Sequence, residues 1–295
     1  MDKQTKSQKL YDLGLRATEL YLHDVAIKCL TEAANLGNAD AMYLLGTIYE
    51  NAMCEYNLQK ESEQLKFVDD EQIFRWYKRA ADKGCKKAFI ELALIYLDED
   101  NLEYNKRAAT KWLKMAISWN QPAAEKGDPY AMLAIANAYG QYNFNRTLRY
   151  GGVLGKDSLA DKWRNFAFAT FKRRANDGDA DAMVELGMML YYGGMTKNVA
   201  ESIRWLKKAA ESGDDEIKIR AYSKLAHIVT SNDDAVSYCK KAAELGDFTS
   251  MRQLWYFYKT GTKAKKNLAE ADRWLKKSEE IQAAFLETVP EDFRE

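Results

Sequence analysis

One pattern recurs along the whole chain, and it leaves few folds open. In its clearest copy Ala182 is followed four, five and eight residues later by Leu186, Gly187 and Leu190, a spacing that lies on one stripe of an α-helix. The frame returns as Ala41, Leu45, Gly46 and Tyr49, as Ala88, Leu92, Ala93 and Tyr96, and as Ala131, Ile135, Ala136 and Tyr139. Two further copies run from Ala221 through Leu225, Ala226 and Val229, and from Ser250 through Leu254, Trp255 and Tyr258. A degenerate copy at Leu13, Gly14 and Ala17 precedes them all.

A second element alternates with the first. An aromatic residue usually has a small residue three before it, Ala four after it and Gly eight after it: Trp76 with Ala80 and Gly84, Trp205 with Ala209 and Gly213, Tyr238 with Ala242 and Gly246. Cys29 takes the aromatic place ahead of Ala33 and Gly37, and Trp112, Trp163 and Trp274 fill it in the other copies. Gly just past the last periodic residue is the usual left-handed stop of a helix. Each unit then reads helix, loop, helix, glycine turn. The small residue on each first helix predicts close approach of a second helix, with the Trp filling the wedge between them. One helix pair cannot bury its apolar faces alone, so pairs stack. The expected fold is all-α: an α/α solenoid, or superhelix, of about seven helix–loop–helix repeats and about fourteen helices.

Composition agrees and narrows the partners. Lys plus Arg is 44 and Asp plus Glu is 44, so the formal net charge is zero. Phosphate binding draws on a surplus of cations, which argues against nucleic acid and against a polybasic membrane-surface role. No apolar run is long enough for membrane insertion, and the first residues lack the apolar stretch of a secretory leader. Cys29, Cys54, Cys85 and Cys239 are scattered without metal-binding or redox spacing, so no metal is expected and the thiols read as small packed apolar groups. A cytoplasmic location follows as the expectation.

These motifs resemble the Sel-1-like repeat family, relatives of the tetratricopeptide repeat, whose pattern is approximately A-x-x-x-L-G-x-x-Y-x-x-G-x-G-V-x-x-D-x-x-x-A-x-x-W-x-x-K-A-A-x-x-G. Residues 179–213 match best, with the loop from Tyr150 through Gly151, Gly152, Val153 and Asp157 to Trp163. The resemblance covers about residues 9 to 279. It implies a non-enzymatic, cofactor-free scaffold or adaptor that holds a protein or peptide in a concave groove, and within that a bacterial cytoplasmic adaptor. An immunity protein that neutralises a toxin is the alternative it leaves open. A hydrolase of cell-wall or β-lactam substrates is more remote, because relatives of that kind carry regularly paired cysteines and this chain does not.

The expected organisation is a single repeat domain over 1–295, with a polar tail at 1–8, repeats over 9–279 and a C-terminal cap and tail over 280–295. Insertions are expected near 51–70 and at 141–149, because the step from small residue to aromatic is longer between Gly46 and Trp76 and between Ala136 and Trp163 than between Gly187 and Trp205. Trp112 to Gly127 and Trp163 to Gly178 are about two turns longer than the regular step, which keeps the same helical face. Pro122 falls in the first of these stretches and predicts a kink or an extra turn. Trp255 stands where other copies have Gly or Ala, and reads as part of a terminal cap completed by Ile281, Ala284, Phe285 and Val289.

Two candidate sites follow. The 141–149 insertion carries Tyr142, Phe144, Arg146 and Arg149, residue types enriched in binding hot spots, although aromatics in a loop also fold back on their own unit. The groove should be lined two, three and six residues past each frame start. Those positions are Tyr43, Thr47, Glu91, Leu94, Leu133 and Asn137, then Val184, Glu185, Met188, Lys224, His227, Arg252, Gln253 and Tyr256. Catalysis has little support: His23 and His227 lie in different repeats with no partner at a triad or metal spacing. The glycines at 151–155 superficially suggest a phosphate loop, but Asp157 stands where Ser or Thr is required.

Overall fold

The computed structural model describes residues 2–54, 69–98, 101–140, 157–193 and 197–294. They form fourteen α-helices and a closing 3-10 turn, Glu291–Phe293, with no strand among them. Seven helix pairs follow one another. The first four are α1 (Lys3–Glu19) with α2 (His23–Asn35), α3 (Ala39–Cys54) with α4 (Asp70–Asp82), α5 (Lys87–Ile95) with α6 (Lys106–Glu125), and α7 (Pro129–Gly140) with α8 (Asp157–Asn176). The last three are α9 (Ala180–Tyr192) with α10 (Val199–Ser212), α11 (Asp215–Ile228) with α12 (Asn232–Glu244), and α13 (Phe248–Thr260) with α14 (Leu268–Thr288). The fold is an α/α solenoid of repeats. The chain divides into two compact units, 1–167 together with 289–295, and 168–288.

Burial follows the repeat frame. Ala41, Leu45, Ala88, Leu92, Leu186, Leu225 and Leu254 are fully buried, as are Ala33, Ala80, Ala167, Ala209, Ala242 and Ser278 four residues past the aromatic slot. The glycines of the first helices exist for close approach. A Cβ on Gly14 would lie 2.5 Å from Leu30 Cγ, on Gly46 2.7 Å from Tyr77 Cε1, and on Gly187 2.8 Å from Leu206 Cγ. At these three glycines the wedge is therefore filled by the residue after the aromatic slot, whereas in other copies the slot residues Trp112 and Trp274 are themselves buried. Trp76, Trp205 and Tyr238 are only half-buried, whereas Tyr77, Leu206 and Cys239 are buried. One step along a helix turns a side chain by about 100°, and that step separates the two roles.

The joints between repeats share one construction. The backbone N–H groups of Asn38, Cys85, Asp128, Asp179 and Asp247 each donate back to the carbonyl five residues earlier, and the glycine before each has a left-handed φ. Four of these residues also cap the next helix: Asn38 accepts from Ala41 N, Asp128 from Tyr130 N, Asp179 from Ala182 N and Asp247 from Ser250 N. Gly213 departs from the expected left-handed stop. Its backbone is extended, and a Cβ there would meet Ile217 at 2.5 Å.

A second cap was not anticipated. Seven residues ahead of five of the slots, Asp69, Asn105, Asn198, Ser231 and Asn267 accept a hydrogen bond from the first turn of α4, α6, α10, α12 and α14. Asn105, Asn198 and Asn267 also donate their backbone N–H to Tyr96, Leu190 and Tyr258, which closes the loop within the repeat. The signal was in the sequence as a polar residue at a constant offset.

The ends differ from expectation in one clear respect. Residues 3–8, expected as a polar tail, form the first turns of α1. Asp2 caps them by accepting from Thr5 N, and buried Ser7 donates to the Ala33 carbonyl at 3.1 Å. α6 and α8 are each 20 residues long, against 13 for α2, α4 and α12. α6 passes through Pro122 without a break. Within the second unit Trp255 and Ile281 pack against a core that includes Leu254, Tyr258 and Trp274. Ala284 is exposed, and buried Val289 belongs to the first unit, where the 3-10 turn contacts α2. Cys29, Cys85 and Cys239 are buried, and burial pushes the Cys29 and Cys239 thiols up to about 11. No helix among the described residues is long and apolar enough to cross a membrane.

Candidate binding groove

The frame residues of α3, α5 and α7 face inward, so residues two, three and six further on present the opposite side of the same turns. In the first unit these positions converge. Tyr43 from α3, Glu91 and Leu94 from α5, and Leu133 and Asn137 from α7 line one cavity of about 590 Å³. Ile90 and Ala134 add to its floor, and Lys86, Lys87, Trp119, Asn120 and Tyr130 to its walls.

Tyr43 is held from two sides. Its ring lies 5.7 Å from that of Tyr77, and Lys87 Nζ sits 5.9 Å from its centroid. Tyr77 is anchored in turn by donating its hydroxyl to Glu50 Oε2 at 2.7 Å. Burial, reinforced by the Glu91 carboxylate, drives the Tyr43 hydroxyl far above its ordinary value, and burial with Glu50 does the same for Tyr77. Both therefore remain neutral at physiological pH. On the other wall Trp119 is 55% and Tyr130 43% exposed, with Lys86 Nζ 4.4 Å over the Trp119 ring. An apolar floor, two exposed rings, two carboxylates, two amides and two ammonium groups suit recognition of a side-chain-bearing segment. No His, Cys or Ser is among the described lining residues.

The remaining expected positions do not join this cavity. Thr47 donates its hydroxyl to the Leu44 carbonyl at 2.8 Å. Val184, expected on the groove, is buried at 1% exposure, because this position in α9 faces the core. Glu185 accepts from Arg220 Nη2 at 2.6 Å, and Arg220 Nη1 pairs with Asp181, which ties α9 to α11. Burial raises the Glu185 carboxyl, with Arg220 opposing the shift. Met188 is half-buried, while Lys224 and His227 are exposed, His227 edge-on to Tyr191. The Arg252 guanidinium lies 4.7 Å over Trp255, Gln253 accepts from Cys239 Sγ at 3.3 Å, and Tyr256 stands edge-on to Phe257. Tyr142, Phe144, Arg146 and Arg149 lie outside the described residues.

Sequence reasoning missed Trp119, Tyr130 and Lys86. Trp119 sits two turns past Trp112, inside the lengthened part of α6. α5 has 9 residues and α6 has 20, about 13 and 30 Å at 1.5 Å per residue, so α6 outruns its partner and exposes the second tryptophan. The surplus length was visible, but its consequence needed the short partner.

Comparison with known proteins places these features. A family model described as the Sel1 repeat matches residues 11–38, 39–60, 66–85, 90–118, 180–214, 229–247 and 250–280. The chitin synthase regulator SKT5 of Saccharomyces cerevisiae is 27% identical over 203 residues, 68% of this chain, and the chain spans 25% of that protein's length. A Sel1 repeat protein of Oxalobacter formigenes is similar at 20% identity with a TM-score of 0.36, covering 94% of this chain and 99% of that one. An immunity protein of Pseudomonas aeruginosa is similar at 16% identity with a TM-score of 0.40, covering 84% of this chain and 83% of that one.

Proposed function

The chain belongs to the Sel1 repeat family, and from that premise we propose that it is a non-catalytic adaptor that holds a protein partner, a segment of which lies in the groove of α3, α5 and α7. One observation supports this reading: the positions that vary between copies, Tyr43, Glu91, Leu94, Leu133 and Asn137, meet in one cavity, while of the recurring frame residues described, Ala131 alone reaches it. A solenoid that reads a partner uses its non-frame side chains in this way. The three buried thiols suit a reducing compartment. The similar chitin synthase regulator is by its name a protein that controls an enzyme, and an enzyme is the class of partner this reading would favour.

The test uses the tagged full chain as bait in lysate from its own source, beside a groove variant, Leu133→Glu with Asn137→Ala, and a control, Phe166→Ala, at an exposed ring outside the groove. Unfolding midpoints confirm that all three fold. The expected result is one stoichiometric partner, retained by the control and bound roughly tenfold or more weakly by the groove variant. A partner held equally by both overturns the assignment to the groove.

A further inference from the structure

The first unit has a second concavity, on the other side of α6, that the groove does not use. It measures about 950 Å³ and lies between α6 and the joint from α4 to α5. Ala81 and Phe89 belong to its base, and Met115 and Trp119, 37% and 55% exposed, give it an apolar wall. Arg107, Lys111 and Lys114 line it from α6, all exposed and none in an ion pair with a described residue. Its one carboxylate, Asp82, is held by Lys78 Nζ at 2.5 Å. A chain of zero net charge thus concentrates three uncompensated cations beside two exposed apolar side chains.

The placement of these cations runs against helix stability. An acid in the first turn complements the positive N-terminal end of a helix, and a cation opposes it. The first turns of α2, α4, α10, α12 and α14 each carry Asp or Glu. The first helices α1, α5, α7 and α13 carry none, and beside the second helices just named α6 alone carries none, opening instead with Lys106 and Arg107. Local rules broken without a packing gain mark functional positions. Lys106 Nζ lies 5.7 Å over the Tyr104 ring, whereas Arg107 is exposed and gains no burial to offset its charge there.

We propose that this cleft binds an acidic peptide segment carrying an apolar side chain, its carboxylates meeting Arg107, Lys111 and Lys114 and its apolar group lying against Met115 and Trp119. The charge and the apolar wall each select for part of that chemistry. A nucleic-acid strand would match the cations and not the Met115 wall.

The experiment uses the full chain and a fluorescein-labelled peptide of alternating glutamate and leucine, with polyglutamate and a single-stranded oligothymidine as comparisons, read by anisotropy at low and moderate salt. Saturable binding of the Glu–Leu peptide is expected, weaker for polyglutamate and falling with salt. Lys111→Glu with Lys114→Glu should weaken it roughly tenfold or more. Arg107→Glu should weaken it too while raising the unfolding midpoint, a combination that a merely structural role does not produce. Leu133→Glu, in the groove, should leave it unchanged, so this site and the groove stand or fall separately. No saturable binding, binding indifferent to the charge reversals, or tighter binding of the oligothymidine would each overturn the proposal.

Discussion

At the residue level the repeat works through contacts that allow no Cβ. Gly187 faces Leu206 Cγ and the Ser202 carbonyl, and Ser202 donates its hydroxyl to the Gly187 carbonyl at 2.6 Å. Gly187→Ala gains about 1 kcal/mol of helix propensity but crowds a branched carbon, which costs about 1–3 kcal/mol. We expect a net loss of up to about 2 kcal/mol in chemical denaturation, and less than the sum of single effects in Gly187→Ala with Leu206→Ala, because the second change opens the space. Additive losses would mean that the two residues are not in contact. That a small residue recurs was legible from Gly14, Gly46 and Gly187. Which neighbour it serves was not, because Trp205 and Leu206 are adjacent in sequence and only the helix phase separates them.

Among elements, caps and ion pairs set how neighbouring helices are joined. Arg220 on α11 holds both Asp181 and Glu185 on α9. Burial raises the Glu185 carboxyl, so the folded chain takes up that proton more readily than the unfolded one. Its contribution is present in acid and is lost as pH rises through the raised value. Arg220→Ala removes the main opposing influence. It should cost on the order of 1 kcal/mol near pH 7, since both groups are partly solvated, and less near pH 4. The cost of Arg220→Ala should differ less between the two pH values in a Glu185→Gln background, where Asp181 is the partner that remains. An equal cost of Arg220→Ala at both would show that Glu185 does not titrate against it. The helix pairing itself was legible, since apolar spacing predicted about seven helix pairs and fourteen α-helices form. The caps at Asp69, Asn105, Asn198, Ser231 and Asn267 were equally regular and went unread, because a constant offset in polar residues carries no apolar stripe to draw attention to it.

In the molecule as a whole, the repeats differ in what they leave open. In the first unit α6 outruns α5, and that mismatch exposes Trp119 between two concave surfaces, one of mixed charge and one basic. In the second unit two of the corresponding side chains are engaged locally, Glu185 by Arg220 and Arg252 on Trp255. Half of the groove was therefore legible from position within the repeat, the half supplied by α3, α5 and α7. The other half was not, because a pattern that is the same in every copy cannot say in which copies a neighbouring helix is too short to cover it. The central claim is that the partner lies across α3, α5 and α7. Replacing Asn137, Phe166 or Lys224 in turn with the photo-crosslinking residue p-benzoylphenylalanine, and irradiating in the presence of the captured partner, tests it most directly. We predict a covalent adduct from Asn137 and none from Phe166 or Lys224; an adduct from Lys224 with none from Asn137 would contradict the account.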